Sequence, residues 1–316
     1  MRPPSAAELN AAALAALPEP SPKPLFLYMH YMEPHSAYDP PPDKRAAFTR
    51  EAGDRNEGQA ASSERLAQLV RGDRQPEPGE RKWLIDLYDA EISVVDEAVG
   101  ELLEALETRG FGDKLVVAIV GDHGEEFEDH GSWFHGLNLQ QASLSIPFVL
   151  WDSRGRDAPA VSEIPADLAD VATTLLARAG VVRMPGTMGR NLLTRMPIFP
   201  RPLHASLGPD KPFERQLRPR LQREAMVLWP WKIIVDSRGR AKLYDLEHDP
   251  MEQKAIRPRD PRVPEQVRKR AIELAQRSPA RPGARRKQPM NKKEQPAEPG
   301  PSQQELEQLR ALGYAE

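Results

Sequence analysis

Residues 117–136 read Val-Ala-Ile-Val-Gly-Asp-His-Gly-Glu-Glu-Phe-Glu-Asp-His-Gly-Ser-Trp-Phe-His-Gly, an apolar run that passes into a polar loop. The loop carries five carboxylates and three of the chain's seven histidines. Two further histidines, His30 and His35, accompany a second apolar run at residues 25–31. Proteins that alternate parallel strands with helices bind their ligands at the carboxyl ends of the strands. The sequence therefore places five of its seven histidines at the ends of two predicted strands.

Helix and strand patterns alternate through the first two hundred residues. Helical spacing of apolar side chains occurs in three stretches, 5–17, 88–106 and 167–180. The second of these has one apolar stripe, formed by Tyr88, Ile92, Val95, Val99, Leu102 and Leu106. Continuous apolar runs, typical of strands buried on both faces, lie at 25–31, 114–120 and 144–151. We therefore expect an α/β fold with a mainly parallel central sheet and helices on both of its faces.

The later part of the chain has a different pattern. Apolar runs at 226–235 and 241–245, joined by Ser-Arg-Gly-Arg, predict a hairpin in a small antiparallel subdomain. Residues 255–298 are rich in Pro and carry 13 Lys and Arg against 5 Asp and Glu, which is typical of a solvated linker. The predicted domains are an α/β core at 5–200, the antiparallel subdomain at 201–254, a partly disordered basic linker at 255–301 and a terminal helix at 302–316.

Composition excludes several kinds of site and partner. The chain has no Cys, which excludes disulfides and thiolate metal sites. Its net charge of −3 gives no indication of a nucleic-acid partner, and none is expected. No apolar run approaches the roughly 18 residues of a membrane-spanning helix, and the first residues lack the apolar segment of a signal peptide. Compartment and oligomeric state stay open, because a longer parent protein could be exported or membrane-anchored.

The corner formed by Asp122, His123 and Gly124 is a candidate metal site. A carboxylate oxygen and an imidazole nitrogen together suit Zn²⁺, Mn²⁺ or a mixed-ligand Ca²⁺ site. An exposed turn aspartate beside a packed histidine has the same three letters, so both interpretations stand on this pattern alone. Glu125 and Glu126 are expected to cap or solvate a following helix rather than to bind the metal.

The remaining histidines carry separate expectations. An imidazole can protonate a leaving group or donate to an oxyanion, and His135 is the candidate for this role, with a plain loop residue as the alternative. His35 follows Pro34 at a predicted strand end, so its ring is expected to point into the same crevice. For His130 we expect no functional role. His30 is either a hydrogen-bonded core residue or part of the site.

Five segments of the chain together resemble a known family. They are Phe26-Leu-Tyr-Met-His-Tyr-Met-Glu-Pro-His-Ser-Ala-Tyr38, Leu87-Tyr-Asp-Ala-Glu-Ile-Ser-Val-Val-Asp96, residues 120–136, Leu243-Tyr-Asp-Leu-Glu-His-Asp-Pro-Met-Glu252 and Leu309-Arg-Ala-Leu-Gly-Tyr314. In this order they resemble the later part of sulfatases, which are members of the alkaline phosphatase superfamily. The second segment, for example, is similar to the family's Tyr-Asp-Gly-Glu-Ile-x-x-x-Asp helix.

The resemblance implies a role for each candidate residue. Asp122 and His123 would be two ligands of a single divalent metal, most commonly Ca²⁺ in this family, with Mn²⁺ or Zn²⁺ as alternatives. His35 would lie near the ester group, and His135 would replace the Lys or His that contacts the sulfate or the leaving-group oxygen. The implied reaction is metal-dependent hydrolysis of a sulfuric ester. Alternatives are a phosphodiesterase, a phosphoethanolamine or phosphoglycerol transferase of the same superfamily, or a non-catalytic binding or structural module.

The chain departs from the family at the nucleophile. Sulfatases carry a Cys/Ser-x-Pro-x-Arg motif, whose Cys or Ser becomes formylglycine, together with an acidic pair that completes the metal site. The 316 residues contain neither a Cys nor a Ser in this motif. The resemblance begins at about the family's midpoint. We therefore expect a fragment that corresponds to the second half of a sulfatase domain, that is inactive alone, and that exposes an apolar part of its sheet.

Overall fold

The computed structural model divides into two compact units. It describes residues 4–20, 23–49, 63–155, 161, 165–181, 189–193, 201–207 and 223–277. The first unit contains the described residues up to 113, and the second contains those from 114 to 277. The predicted terminal helix, and the predicted linker beyond residue 277, lie outside the described residues.

The described part of the first unit is helical. It contains α1 (Ala6–Ala16), α2 (Pro42–Phe48), α3 (Ser63–Arg71) and α4 (Glu80–Thr108). Helix α1 begins where the sequence predicts, because Ser5 and Glu8 form a capping box in which each side chain accepts the other's backbone N–H. Helices α1 and α2 pack against α4. The Asn10 side chain of α1 donates to the carbonyl of Ala98 in α4 at 2.7 Å.

Helix α4 is confirmed, but its predicted buried face is partly wrong. Ile92 is 45% exposed, and the buried face includes Glu91 and Ala98 instead. A pattern of large apolar residues misses this face, because Ala98 is small and Glu91 is held by a hydrogen bond from the Asp39 backbone at 2.8 Å. In the described ranges no helix, α4 included, is both long enough and apolar enough to cross a membrane.

The predicted strand at residues 25–31 is wrong. The segment is extended but belongs to no strand, and Phe26 is 81% exposed. A strand needs a partner for its backbone N–H and C=O groups. No strand is present among the described residues of the first unit, so this apolar run has no ladder to join there.

The second unit begins with a two-stranded sheet. Strand β1 (Val116–Val120) leads through a long loop and the short helix α5 (Gln141–Leu144) to β2 (Phe148–Asp152), and helix α6 (Leu168–Arg178) follows. β1 and β2 are antiparallel, with Ile119 opposite Val149. The expected parallel pairing is absent from the described strands. Parallel neighbours require a crossover connection, whereas the segment between β1 and β2 returns the chain to the end of the sheet that it left.

The two faces of this sheet differ. Asp152 lies on the face that α6 covers, where its carboxylate pairs with Arg178 at 3.2 Å. Side chains alternate between faces along a strand, so Ile119, Val149 and Trp151 share the opposite face. They are 40%, 53% and 50% exposed, as expected for an apolar part of the sheet without a cover. We call these three residues the open face.

A four-stranded antiparallel sheet, which contains the predicted hairpin, completes the second unit. Its strands, in spatial order, are β3 (Leu203–Leu207), β4 (Arg223–Leu228), β5 (Trp231–Asp236) and β6 (Ala241–Asp245). The apolar run at 226–235 is not one strand, because the turn at Trp229 and Pro230 divides it into β4 and β5. Helix α7 (Glu265–Arg277) packs Val267, Ala271 and Leu274 against one face of the sheet.

Candidate active site

The loop after β1 folds into a short hairpin, which we call the site hairpin, residues 126–134. Phe127 and Trp133 form an antiparallel bridge inside it. The Phe134 N–H donates to the Glu126 carbonyl, and the Glu128 N–H donates to the Ser132 carbonyl, each at 2.8 Å. The hairpin brings the residues on either side of it, 125 and 135, close together.

Asp122 and His123 form a corner directly after β1. The Asp122 carboxylate accepts the backbone N–H of His123 at 2.9 Å. The Nδ1 of His123 faces the Gly124 carbonyl at 3.0 Å, so Nδ1 carries the proton and the neutral ring has its lone pair on Nε2. This Nε2 lies 3.7 Å from the Asp122 Oδ1. Two donor atoms at this separation can bind one divalent cation, so the pair fits part of a metal site.

Gly124 is required by close packing rather than by its backbone angle. Its N–H donates to the Ser143 carbonyl at 2.9 Å. A Cβ at this position would lie 2.1 Å from the carbonyl oxygen of Ala142. The corner therefore sits against the start of α5 at a distance that no larger residue allows.

His135 is held by an acidic partner and lies against His123. Its Nδ1 is 3.0 Å from the Glu125 Oε1, and the Glu125 side chain is almost fully buried. The His123 and His135 rings stack, with centroids 3.7 Å apart and planes 27° apart. A carboxylate that holds the Nδ1 proton leaves Nε2 as the nitrogen that exchanges protons. The expectation that Glu125 and Glu126 cap a following helix is wrong, because the site hairpin comes next and α5 begins only at Gln141.

His130 is more constrained than the sequence predicts. Its Nδ1 is 2.8 Å from the Oε1 of the fully buried Glu126, and its Nε2 is 2.9 Å from the Met251 carbonyl. Burial alone would lower the pKa of His130, but the Glu126 and Met251 contacts and the nearby Glu252 carboxylate raise it above its ordinary value. The contact of Glu126 with a residue four positions later has no sequence signal, because both side chains also suit an exposed loop.

His35 belongs to the first unit and is exposed. Its backbone N–H donates to the Met32 carbonyl, and its Nδ1 faces the Ser36 carbonyl, both at 2.7 Å. These bonds fix a tight turn after Glu33. His30, nearby, has its Nδ1 3.0 Å from the Tyr28 hydroxyl.

A second group of candidate metal ligands lies on the turn after β6. Asp245, Glu247 and His248 bring their donor atoms within 4.8 Å of one another. His248 Nδ1 and Asp245 Oδ2 are 3.1 Å apart, and Glu247 and His248 are exposed. The sequence gives no metal-site signal for this group, because the segment is typical of a turn.

Comparison with known proteins identifies relatives of the chain. The model of the family described as Sulfatase matches residues 4–181. The choline-sulfatase of Rhizobium meliloti (strain 1021) is 28% identical over 172 residues, which are 52% of this chain and 31% of that protein. The arylsulfatase of Clostridium perfringens (strain 13 / Type A) is 27% identical over 165 residues, 49% of this chain and 34% of that protein. The chain thus matches about a third of the length of these two relatives.

A solved structure shares the fold over most of the chain. The phosphonate monoester hydrolase SpPMH from Silicibacter pomeroyi aligns with a TM-score of 0.62 and 19% identity, over 86% of this chain and 58% of that one. The mixed α/β fold of the alkaline phosphatase type, expected from the sequence, is therefore confirmed, although the parallel sheet is not seen among the described strands.

Proposed function

Because the chain belongs to the sulfatase family, we propose that its described residues supply the metal-binding and proton-donating side of a sulfuric-ester hydrolase site. Enzymes of this family hydrolyse sulfate esters, and the matched relatives carry that activity in their names. Since the match spans about a third of their length, the hydrolysis is proposed for a complete site and not for these residues alone.

One observation carries the proposal: the His135 ring stacks on His123, whose Nε2 faces the Asp122 carboxylate. A cation held by Asp122 and His123 would therefore lie beside an imidazole that can donate a proton. Such a cation, Ca²⁺ by resemblance, would polarise the sulfuryl oxygens of a bound ester. His135 would donate from Nε2 to the sulfate or leaving-group oxygen, while Glu125 keeps the ring oriented through Nδ1. The proposed position of His35 near the ester group rests only on the resemblance of residues 26–38 to the family segment.

The second part of the proposal is that the 316 residues bind but do not turn over substrate. Hydrolysis in this family starts from a formylglycine made from Cys or Ser in Cys/Ser-x-Pro-x-Arg, and no such motif is present in these residues. Asp122 and His123 offer two protein ligands. Sites that bind divalent cations tightly have more than two.

A direct assay tests this proposal. The purified 316-residue chain is incubated with an aryl sulfate and, separately, with a bis-aryl phosphate, each with Ca²⁺ or Mn²⁺. We expect no turnover with either ester above that of the Asp122→Ala variant. Turnover of the sulfate that Asp122→Ala abolishes would overturn the proposed inactivity and reveal an unrecognised nucleophile. Turnover of the phosphate alone would instead favour phosphoryl chemistry.

A further inference from the structure

Glu126 occupies the interior of the site hairpin. Its carboxylate is completely buried, with Oε2 accepting the backbone N–H of His130 at 3.1 Å and Oε1 facing the His130 ring at 2.8 Å. A buried carboxylate is costly unless hydrogen bonds and a cation compensate it. His130 supplies both a backbone donor and a ring that can become cationic, so the tip of the hairpin is fastened to its base.

The His130 ring joins the site hairpin to a different part of the second unit. Its Nε2 lies 2.9 Å from the carbonyl of Met251, on the turn that follows β6. The carbonyl and the Glu126 carboxylate are both acceptors, so both ring nitrogens need a proton to satisfy them. A neutral imidazole has one N–H and could satisfy only one of these two contacts. The geometry therefore selects the doubly protonated ring.

The turn that receives His130 is itself fixed by a buried ion pair. Lys232 of β5 and Glu252 are both fully buried, with Nζ and Oε1 2.8 Å apart. Glu252 also accepts the Gln141 N–H at 2.6 Å, and Lys232 donates to the Gln141 side chain at 2.9 Å. Burial lowers the pKa of Lys232, and the Glu252 and Glu126 carboxylates oppose this shift. The turn that carries Met251, whose carbonyl the His130 ring contacts, is thus rigid.

We propose that His130 is a positioning residue whose cationic ring pins the site hairpin to the turn at Met251, and that loss of its ring proton releases the hairpin. Glu125 and His135 flank the hairpin directly, so its release also loosens their contact. The proposed positioning role of His130 rests only on the contacts of its own ring with Glu126 and Met251. Only its consequence for the chemistry at His135 rests on the proposed function.

The direction of the pH dependence follows from the charged groups that face the ring, which are Glu126 and Glu252. Both are acidic, and they raise the pKa of His130 in the folded chain despite its burial. Because the pKa of His130 is higher in the folded than in the unfolded chain, the protonated ring stabilises the folded state. This stabilisation is complete below the ordinary histidine pKa near 6.5. The stabilisation disappears as the pH rises through the pKa that His130 has in the folded chain. The hairpin is therefore pinned below about pH 6.5 and released once the pH has risen through the raised pKa of His130.

Hydrogen exchange of the hairpin amides tests the pin without metal, substrate or turnover. The amides of Glu128, Gly131 and Phe134 donate inside the hairpin, so their protection factors report its closure. We expect these protection factors to fall as the pH rises above about 6.5. The total fall should be about tenfold for each pH unit by which the pKa of His130 in the folded chain exceeds its ordinary value. His130→Gln, whose side chain cannot become cationic, should lower the protection at pH 6 and remove the pH step.

His248→Gln is the matched control, because His248 also pairs with a carboxylate but on the exposed turn after β6. It should leave the protection of the hairpin amides and their pH step unchanged. A pH step that persists in His130→Gln, or that disappears in His248→Gln, would overturn the assignment. If His130→Gln does not fold, NMR of the wild-type chain decides. The backbone amide signals of Glu128, Gly131 and Phe134 should then move with the same midpoint as the His130 ring signals, and independent midpoints would contradict the proposal.

Discussion

Glu80 and Glu91 are both buried on α4, yet the pKa values of their carboxyl groups move in opposite directions. Burial raises the pKa of Glu80, but hydrogen bonds from Arg74 and Arg65 and from the chain lower it to about 2. Burial raises the pKa of Glu91 to about 7, and its one backbone donor, from Asp39, does not outweigh the nearby acidic groups. The hydrogen bonds from two guanidinium groups therefore explain why the pKa of Glu80 falls while that of Glu91 rises.

The Glu91→Gln variant tests the raised pKa. In the wild-type protein the fold favours the neutral carboxyl group of Glu91. The contribution of this group to the stability of the folded protein is therefore complete below about pH 4.3 and is lost as the pH rises through about 7. Glutamine keeps the acceptor for the Asp39 N–H without this loss. We expect equal stability at pH 4 and a variant more stable by on the order of 2 kcal/mol at pH 8, measured by urea unfolding.

Glu101→Gln is the control for this experiment, because Glu101 lies on the exposed side of the same helix. It should change the free energy of unfolding by less than about 0.5 kcal/mol at either pH. A Glu91→Gln variant that is less stable than wild type at pH 8 would contradict the account of this residue.

The site residues show which contacts a sequence can predict. Asp122, His123 and His135 lie within 14 residues that follow an apolar run, and the structure brings their two rings and one carboxylate to one place. The pairings of Glu125 and Glu126 were missed. They depend on the hairpin that reverses the chain between 126 and 134. Gly131 is a turn signal there, but Glu128 and Phe134 adopt positive φ without being glycine, so the sequence does not mark their turns.

Among the secondary structure elements, the four-stranded sheet is covered on both faces. Helix α7 and the residues before it cover one face, around Ile233 and Leu243. Leu139 and its neighbours, which follow the site hairpin, pack on the other face with Ile234 and Tyr244. The sheet is therefore the support for the site hairpin as well as the centre of the second unit.

Truncation on α7 measures this support. Leu274 is buried against the sheet, whereas Ile272 on the same helix is 54% exposed. Leu274→Ala should destabilise the second unit by about 2–5 kcal/mol, because it leaves a cavity, and Ile272→Ala should cost less than about 1 kcal/mol. Equal effects in chemical denaturation would mean that α7 does not pack through the Leu274 face.

Helices were predicted better than strands, for a physical reason. The ends of α1 and α6 depend on nearby caps, Ser5 with Glu8 and Asp167 with Asp170, which local sequence reveals. Strands depend on partners far away in the sequence. The runs at 25–31 and 114–120 look alike, yet only the second has a partner, and that partner runs antiparallel to it.

At the scale of the whole molecule, the open face leaves apolar side chains of a sheet in contact with solvent. Ile119, Val149 and Trp151 are at least 40% exposed on a sheet of two strands. Exposed apolar strands associate with one another. We expect the 316-residue chain to self-associate as its concentration rises, and Trp151→Lys to reduce this in sedimentation velocity. Ile272→Lys, which changes an exposed residue on α7, should leave it unchanged, whereas equal effects would exclude the open face as the cause.

We propose that the corner of Asp122 and His123 holds the cation of a sulfatase-type site. Paramagnetic broadening of backbone amide signals by Mn²⁺ tests it most directly, since the effect reports where the cation lies. We predict broadening at Gly121 to Gly124 with a dissociation constant of about a millimolar, lost in Asp122→Asn and kept in Glu247→Gln. Broadening confined to the turn of Asp245, Glu247 and His248, or unchanged in Asp122→Asn, would contradict the claim.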